Sequence, residues 1–312
     1  MQVLIELPTW MGDCMMATPA IENIVDFLDD VEITFIGSSV SIGVMKYHSK
    51  VVKTVVFEKN YSALYKTAKK LGDFDVFFSF RSSLRSKFFK FSVLAKNKYQ
   101  FDKNKYPNLH QVEKYNGFVN DSLKINYLAG SLAPHLKHSV LNIKNSSTQL
   151  LGINPGASYG SAKRWEPKKF AKVACALSRQ YDIIIFGDTK ELDFADDIEK
   201  EMIKRNIKNY KNLAGKTSIT DLIKCISTLD LFITGDSGPM HVAAAFQVPT
   251  VAIFGPTNHN ETSQWMNKKS IIVKKEFDCQ PCMKRSCPLS HHNCMRSIVA
   301  DDVLIAVKQL SL

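Results

Sequence analysis

The sequence predicts an α/β protein built of two Rossmann-like domains, and three observations predict it. Short, continuously apolar runs alternate with amphipathic helical patterns along the whole chain. Runs of that kind, separated by helices, indicate parallel sheets covered on both faces. The alternation lapses once, between Ala129 and Gln149, in a mixed polar stretch that is the best candidate linker. A chain of 312 residues is also long for one core and comfortable for two. The expected domains are therefore residues 1–149 and 150–312, facing each other across a cleft.

The elements follow in order. Val3–Leu7, Glu32–Gly37, Val51–Phe57, Phe74–Phe80 and Lys98–Phe101 read as strands of the first half. Helical patterns lie at Thr18–Leu28, Tyr61–Leu71, Leu84–Leu94 and His110–Leu128. In the second half, strands are expected at Leu150–Asn154, Asp182–Phe186, Leu231–Thr234, Thr250–Phe254 and Ile271–Val273. Pro167–Arg179, Lys190–Lys204, Ile219–Leu229 and Met240–Phe246 read as the helices between them. A last helix, Asp301–Leu310, follows a long irregular segment and is a candidate to pack back on the domain junction.

Composition narrows the function. A formal net charge of +11 favours an anionic partner: a nucleic acid, an anionic membrane surface, or a phosphorylated or carboxylated substrate. No recognised nucleic-acid motif is present, so a nucleic-acid partner is not expected. No stretch approaches the roughly 20 apolar residues that span a bilayer. The chain opens straight into a strand without a basic and then apolar leader, so export is not expected. Seven cysteines, an odd number, fit a reducing cytoplasm better than a disulfide framework.

In open parallel sheets ligands bind beyond the carboxyl ends of strands, and the chemistry-bearing residues fall there. Leu231–Thr234 reads as a strand end and Gly238–Phe246 as a helix, with Asp236 or Ser237 as N-cap and Pro239 in the first turn. Free N–H groups and a positive helix end then face one point, a ready site for a diphosphate. Asn154 to Trp165 is a Gly- and Ser-rich turn ending in Lys163 and Arg164, suited to hold phosphate oxygens with Lys163 as a point charge. It carries neither the Walker A spacing nor the dinucleotide Gly-x-Gly-x-x-Gly pattern. Asp13, placed before a helix that starts near Thr18, is either a capping or turn aspartate or a general base. Arg81 and Arg85 follow the fourth strand one helical turn apart, where they could bind a carboxylate or phosphate. His241 either meets a ligand phosphate or satisfies a carbonyl within its helix. Cys279, Cys282, Cys287 and Cys294 open with a zinc-like Cys-x-x-Cys, but the later spacings match no standard pair of such hooks. Packed thiols are favoured there over a structural metal.

Leu7-Pro-Thr-Trp-Met-Gly-Asp13, Pro155-Gly-Ala-Ser158 with Lys163-Arg-Trp165, and Gly235-Asp-Ser-Gly-Pro-Met-His241 occur in that order. Together they resemble the ADP-heptose-using lipopolysaccharide heptosyltransferases, an inverting glycosyltransferase family of GT-B fold. The cysteine segment, with Pro281-Cys-Met-Lys-Arg, is similar to the branch adding the second heptose. The resemblance implies transfer of L-glycero-D-manno-heptose from ADP-heptose to the first inner-core heptose of lipopolysaccharide. It implies an acceptor in the N-terminal half and a nucleotide in the C-terminal half. Carried over by motif, Asp13 is the expected general base, and Ser158 and Lys163 meet the donor diphosphate. Asp236, Ser237, Gly238 and His241 form the nucleotide-sugar loop, and Glu191 is a ribose ligand by position. Arg81 and Arg85 suit the anionic acceptor on charge alone. No Asp-x-Asp metal motif stands near a strand end, so neither an obligatory divalent ion nor a cofactor is expected. A monomer at the cytoplasmic face of the inner membrane, in peripheral contact with it, completes the expectation. The competing readings are the branch adding the first heptose to Kdo-lipid A and a nucleotide-sugar-binding protein without chemistry.

Overall fold

The computed structural model describes residues 1–57, 60–136, 148–156 and 159–310. It resolves into two compact units, Met1–His138 and Ser139–Leu312.

The first unit runs β1 (Gln2–Glu6), α1 (Met11–Phe27), β2 (Glu32–Gly37), α2 (Ser39–Met45), β3 (Val51–Val56), α3 (Tyr61–Leu71), β4 (Asp73–Ser79), α4 (Leu84–Ser92), β5 (Leu94–Gln100) and α5 (Gln111–Leu123). Its five strands lie in the order β3-β2-β1-β4-β5, all parallel. Val3 pairs with Ile33 on one side and Val76 on the other. With both edges and both faces covered, Val3, Leu4 and Ile5 have no exposed surface; burying such a side chain is worth about 1.5–3 kcal/mol each.

The second unit runs β6 (Gln149–Asn154), a 3-10 turn (Ser161–Lys163), α6 (Pro167–Leu177), β7 (Tyr181–Ile185), α7 (Leu192–Lys204), β8 (Tyr210–Asn212) and α8 (Ile219–Ser227). It continues with β9 (Leu231–Gly235), α9 (Gly238–Ala245), β10 (Thr250–Ile253), α10 (His259–Thr262), β11 (Ser270–Val273), α11 (Asn293–Arg296) and α12 (Ala300–Gln309). Six parallel strands are ordered β11-β10-β9-β6-β7-β8. Helix α12 packs on α6, β10 and β11, and its Ala300, Val303, Ala306 and Val307 belong to the core of this unit. Trp165 links the same layers: it is buried, stands edge-on to Phe170, and donates its indole N–H to Ile298 O at 2.8 Å.

Several boundaries differ from the sequence reading, each for a local reason. Helix α1 starts at Met11 rather than near Thr18, so Pro19 lies inside it and not at its first turn. The proline cannot donate to the carbonyl of Met15, but the Thr18 hydroxyl does, at 2.7 Å. Strand β5 begins at Leu94 because α4 ends at Ser92, two residues before its expected end. Helix α5 stops at Leu123, closed by Lys124 in the left-handed region. Helix α2 was not expected, being short and Gly-containing; the Ser38 side chain caps it by accepting from Ser41 N. Strand β8, a polar three-residue edge, carries no apolar signal.

Candidate functional site

Each sheet reverses its winding at one point: between β1 and β4 in the first unit, and between β6 and β9 in the second. Ligand sites of open α/β sheets lie beyond the carboxyl ends of strands at such points.

In the second unit, Asn154 ends β6 and donates its side-chain amide to Ser237 Oγ at 3.0 Å, tying that strand to the loop after β9. Ser237 is the N-cap residue of α9, yet its hydroxyl does not cap the helix. The first turn, with Pro239 at its start, thus keeps its N–H groups clear of a side-chain cap, as an anion site requires. Gly238 opens that turn, and His241 is buried one turn in. Asp236 is buried, and its Oδ2 accepts from Lys163 Nζ and from the Thr257 hydroxyl, both at 2.6 Å. Lys163 also donates to Asp236 O at 3.2 Å and lies over the Tyr159 ring at 4.7 Å. The lysine side chain is only 12 % exposed, so its charge is largely desolvated and its pairing strong. Glu191 is buried as the N-cap residue of α7, and its Oε2 accepts from Asp188 N at 3.0 Å. It sits under the loop after β6: a Cβ on Gly156 would lie 2.7 Å from Asn154 Nδ2 and 3.4 Å from Glu191 Oε1. The backbone there approaches the strand ends as only glycine allows. Lys163, Glu191, Asp236, Ser237, Gly238 and His241 are thus gathered at the carboxyl edge of one sheet, whereas Ser158 lies outside the described residues.

In the first unit, Asp13 is in the first turn of α1 and does not precede the helix; the N-cap residue is Trp10. Asp13 is therefore not the N-cap residue, and the helix dipole there favours a negative charge. Burial, and then the Asp13 charge, push the Cys14 thiol upward. Burial, followed by the Asp13 charge, likewise lifts the Tyr115 phenol well above its ordinary value. Arg81 and Arg85 meet a group the sequence reading passed over. Glu6, the last residue of β1, is buried and accepts from the Ser79 hydroxyl at 2.6 Å and the Ser86 hydroxyl at 2.8 Å. Arg81 Nη1 lies 3.4 Å from Glu6 Oε1, and both guanidiniums stand over the Phe57 ring, at 5.7 and 5.3 Å. Burial raises the Glu6 carboxyl, and the Ser79 hydrogen bond and Arg81 charge offset part of that. Its signal was visible as a carboxylate inside the run Val-Leu-Ile-Glu-Leu. Thr257 left no signal: a threonine five residues after Ala252 is unremarkable until β10 brings it to Asp236.

Two doubly wound parallel sheets, one in each unit, are the α/β architecture shared with solved GT-B heptosyltransferases. Residues 77–293 match the model of glycosyltransferase family 9 (heptosyltransferase), and the chain belongs to that family. It is 42 % identical to lipooligosaccharide heptosyltransferase 2 of Campylobacter jejuni, with 99 % of this chain and 98 % of the relative covered. Against lipopolysaccharide heptosyltransferase 1 of Campylobacter coli the identity is 24 %, with 96 % of each covered. Among solved structures, E. coli ADP-heptose lps heptosyltransferase II superposes with a TM-score of 0.81 at 20 % identity, covering 99 % of this chain and 98 % of that one.

Proposed function

We propose that the chain is a lipopolysaccharide heptosyltransferase II, moving L-glycero-D-manno-heptose from ADP-heptose to the first inner-core heptose. The observation that carries this reading is end-to-end similarity to a heptosyltransferase 2 at 42 % identity, against 24 % to a heptosyltransferase 1. The second unit takes the nucleotide-sugar and the first takes the acceptor.

The chemistry is a single in-line displacement. The acceptor hydroxyl oxygen forms a bond to the anomeric carbon, the bond from that carbon to the diphosphate oxygen breaks, and the hydroxyl proton passes to the Asp13 carboxylate. ADP leaves with the added charge, which Lys163 and the first turn of α9 stabilise by fixed electrostatics. Asp236 holds Lys163 in place, with Thr257 fixing the same carboxylate oxygen. Ser158 adds a contact to the diphosphate, Glu191 takes the ribose, and Ser237, Gly238 and His241 shape the nucleotide-sugar loop. Arg81 and Arg85 draw the anionic inner core, their two charges exceeding the one that Glu6 supplies. The protein works as a monomer at the cytoplasmic face of the inner membrane, attracted by its excess of cations. No helix among the described residues is long and apolar enough to cross a membrane.

The test is transfer from ADP-heptose to Kdo-lipid A with and without one heptose. Turnover is expected only on the heptose-bearing acceptor, and Asp13→Ala should lower it by about 10²–10⁴-fold, the usual contribution of one positioned base. Turnover on the heptose-free acceptor would move the protein to the first-heptose branch. Full activity in Asp13→Ala would remove the base.

A further inference from the structure

The segment between β11 and α11 is long and almost without regular structure, yet it holds three of the seven cysteines, and a fourth, Cys294, follows in α11. Its thiols are all free. Cys279, Cys282, Cys287 and Cys294 all line one cavity of about 20 Å³, space for a single water-sized occupant. The two imidazoles at the rim are otherwise engaged. His292 Nε2 lies 2.7 Å from Ala162 O, and His291 Nδ1 accepts from Asn293 N at 3.0 Å.

We propose that Cys279, Cys282, Cys287 and Cys294 form a structural tetrathiolate site for one thiophilic divalent cation, zinc or iron. Four sulfurs with no oxygen ligand select those ions over hard cations. Binding releases the thiol protons to solvent and forms four metal–sulfur bonds; no electron is transferred. Zn–S bonds of about 2.3 Å place sulfurs about 3.8 Å apart. The sulfurs stand wider than that, since the ligand set already within 4.8 Å among the described residues is Glu22, His48 and His135. The ion would therefore draw the Cys-x-x-Cys turn inward. The tighter histidine cluster is a poorer cage. His48 Nδ1 accepts from Lys50 N at 3.1 Å, so its proton sits on Nε2, which faces Glu22 at 3.3 Å.

The physical need lies in what the segment supports. Arg285 O accepts from Ala162 N at 3.0 Å, and Met283 O accepts from the Tyr159 hydroxyl at 2.7 Å, both on the turn that carries Lys163. Met283 N donates to Pro256 O at 2.9 Å, beside Thr257. A Cβ on Gly160 would come within 2.2 Å of Arg285 O, so the two chains touch without a spacer. An irregular segment has few contacts of its own, and a metal cross-link would fix it where hydrophobic burial does not. This consequence for the donor site rests on the functional reading above; the metal readouts do not.

The full chain, purified without chelator from cells supplied with zinc and iron, would be analysed by elemental mass spectrometry. About one equivalent per chain is expected, and the element found distinguishes the two ions. Cys282→Ser and Cys287→Ser should lose it, while Cys175→Ser, in α6, should keep it. Cobalt(II) exchanged into the wild type should show sulfur-to-metal charge transfer and the intense visible bands of a tetrahedral thiolate, a reading that survives if the variants fail to fold. Three results would overturn the site: folded wild type with under roughly a tenth of an equivalent of metal, a disulfide among the four cysteines, or full metal content in both serine variants.

Discussion

After β6 and β9, a cation and an anion arrive on separate loops and meet at 2.6 Å, as Lys163 and Asp236. After β1 and β4 the anion is instead part of the strand: Glu6 is fixed by two serine hydroxyls, and Arg81 approaches it only to 3.4 Å. A pair assembled from loops can exchange partners, so a diphosphate can take up the charge of Lys163. An anion built into a strand cannot move away. There two guanidiniums face one carboxylate, and under the function proposed above the positive remainder meets the anionic acceptor. Under the proposed function the two switch points have different tasks: stabilising charge that develops during reaction, and attracting charge already present.

Among the residues of these two ion pairs, the largest effect should come from Lys163→Met. It is expected to lower kcat/KM by about 10²–10³-fold and to destabilise by about 3–5 kcal/mol, because Asp236 is left as an unpaired buried charge. Adding Asp236→Asn should restore most of the stability, measured by urea unfolding, and none of the activity. Equal stability of the single and double variants would mean the pair is not coupled. Next, Arg81→Ala and Arg85→Ala should each raise KM for the acceptor by about tenfold, leaving that for ADP-heptose unchanged. An unchanged acceptor KM would remove the contrast drawn here.

Two smaller effects separate the carboxylates by pH. Glu6 is raised by burial, so the stability it contributes is complete below its unfolded value of 4.5 and falls as pH rises through its folded value. The melting temperature of Glu6→Gln should therefore gain on wild type as pH rises from acid to neutral. Glu22 behaves in the opposite sense. Burial would raise it, but hydrogen bonds from His135 and His48 outweigh that and hold it at about 2. Its contribution is present above 4.5 and fades as pH falls toward 2. The deficit of Glu22→Gln should be widest near neutral pH and shrink in acid; two parallel melting curves across pH would refute both assignments.

The buried strands were legible because their residues are apolar without interruption, as in Leu231-Phe-Ile and Val251-Ala-Ile. The charged residues of the second site were legible because glycine and proline flank them. What escaped was decided by partners distant in sequence. Glu6 looks out of place until Ser79 and Ser86 close on it, and Thr257 has no meaning apart from Asp236. The start of α1 lies at Met11, before the expected Thr18, and the hydroxyl that lets Pro19 sit inside the helix comes from its own neighbour, Thr18.

The all-parallel pairing also sets an order of assembly. Glu6 and its partner Ser79 are 73 residues apart, and Leu150 and Asp230 are 80 apart. At about 5–20 residues per second, a ribosome takes roughly 4–16 s to deliver the second neighbour of either central strand. For that interval an apolar edge of β1 or β6 is open, as expected of sheets made from distant strands. Among the described residues no strand of one sheet pairs with the other, so the first sheet can close before the central strand of the second has been synthesised. The nascent chain then presents one open edge at a time.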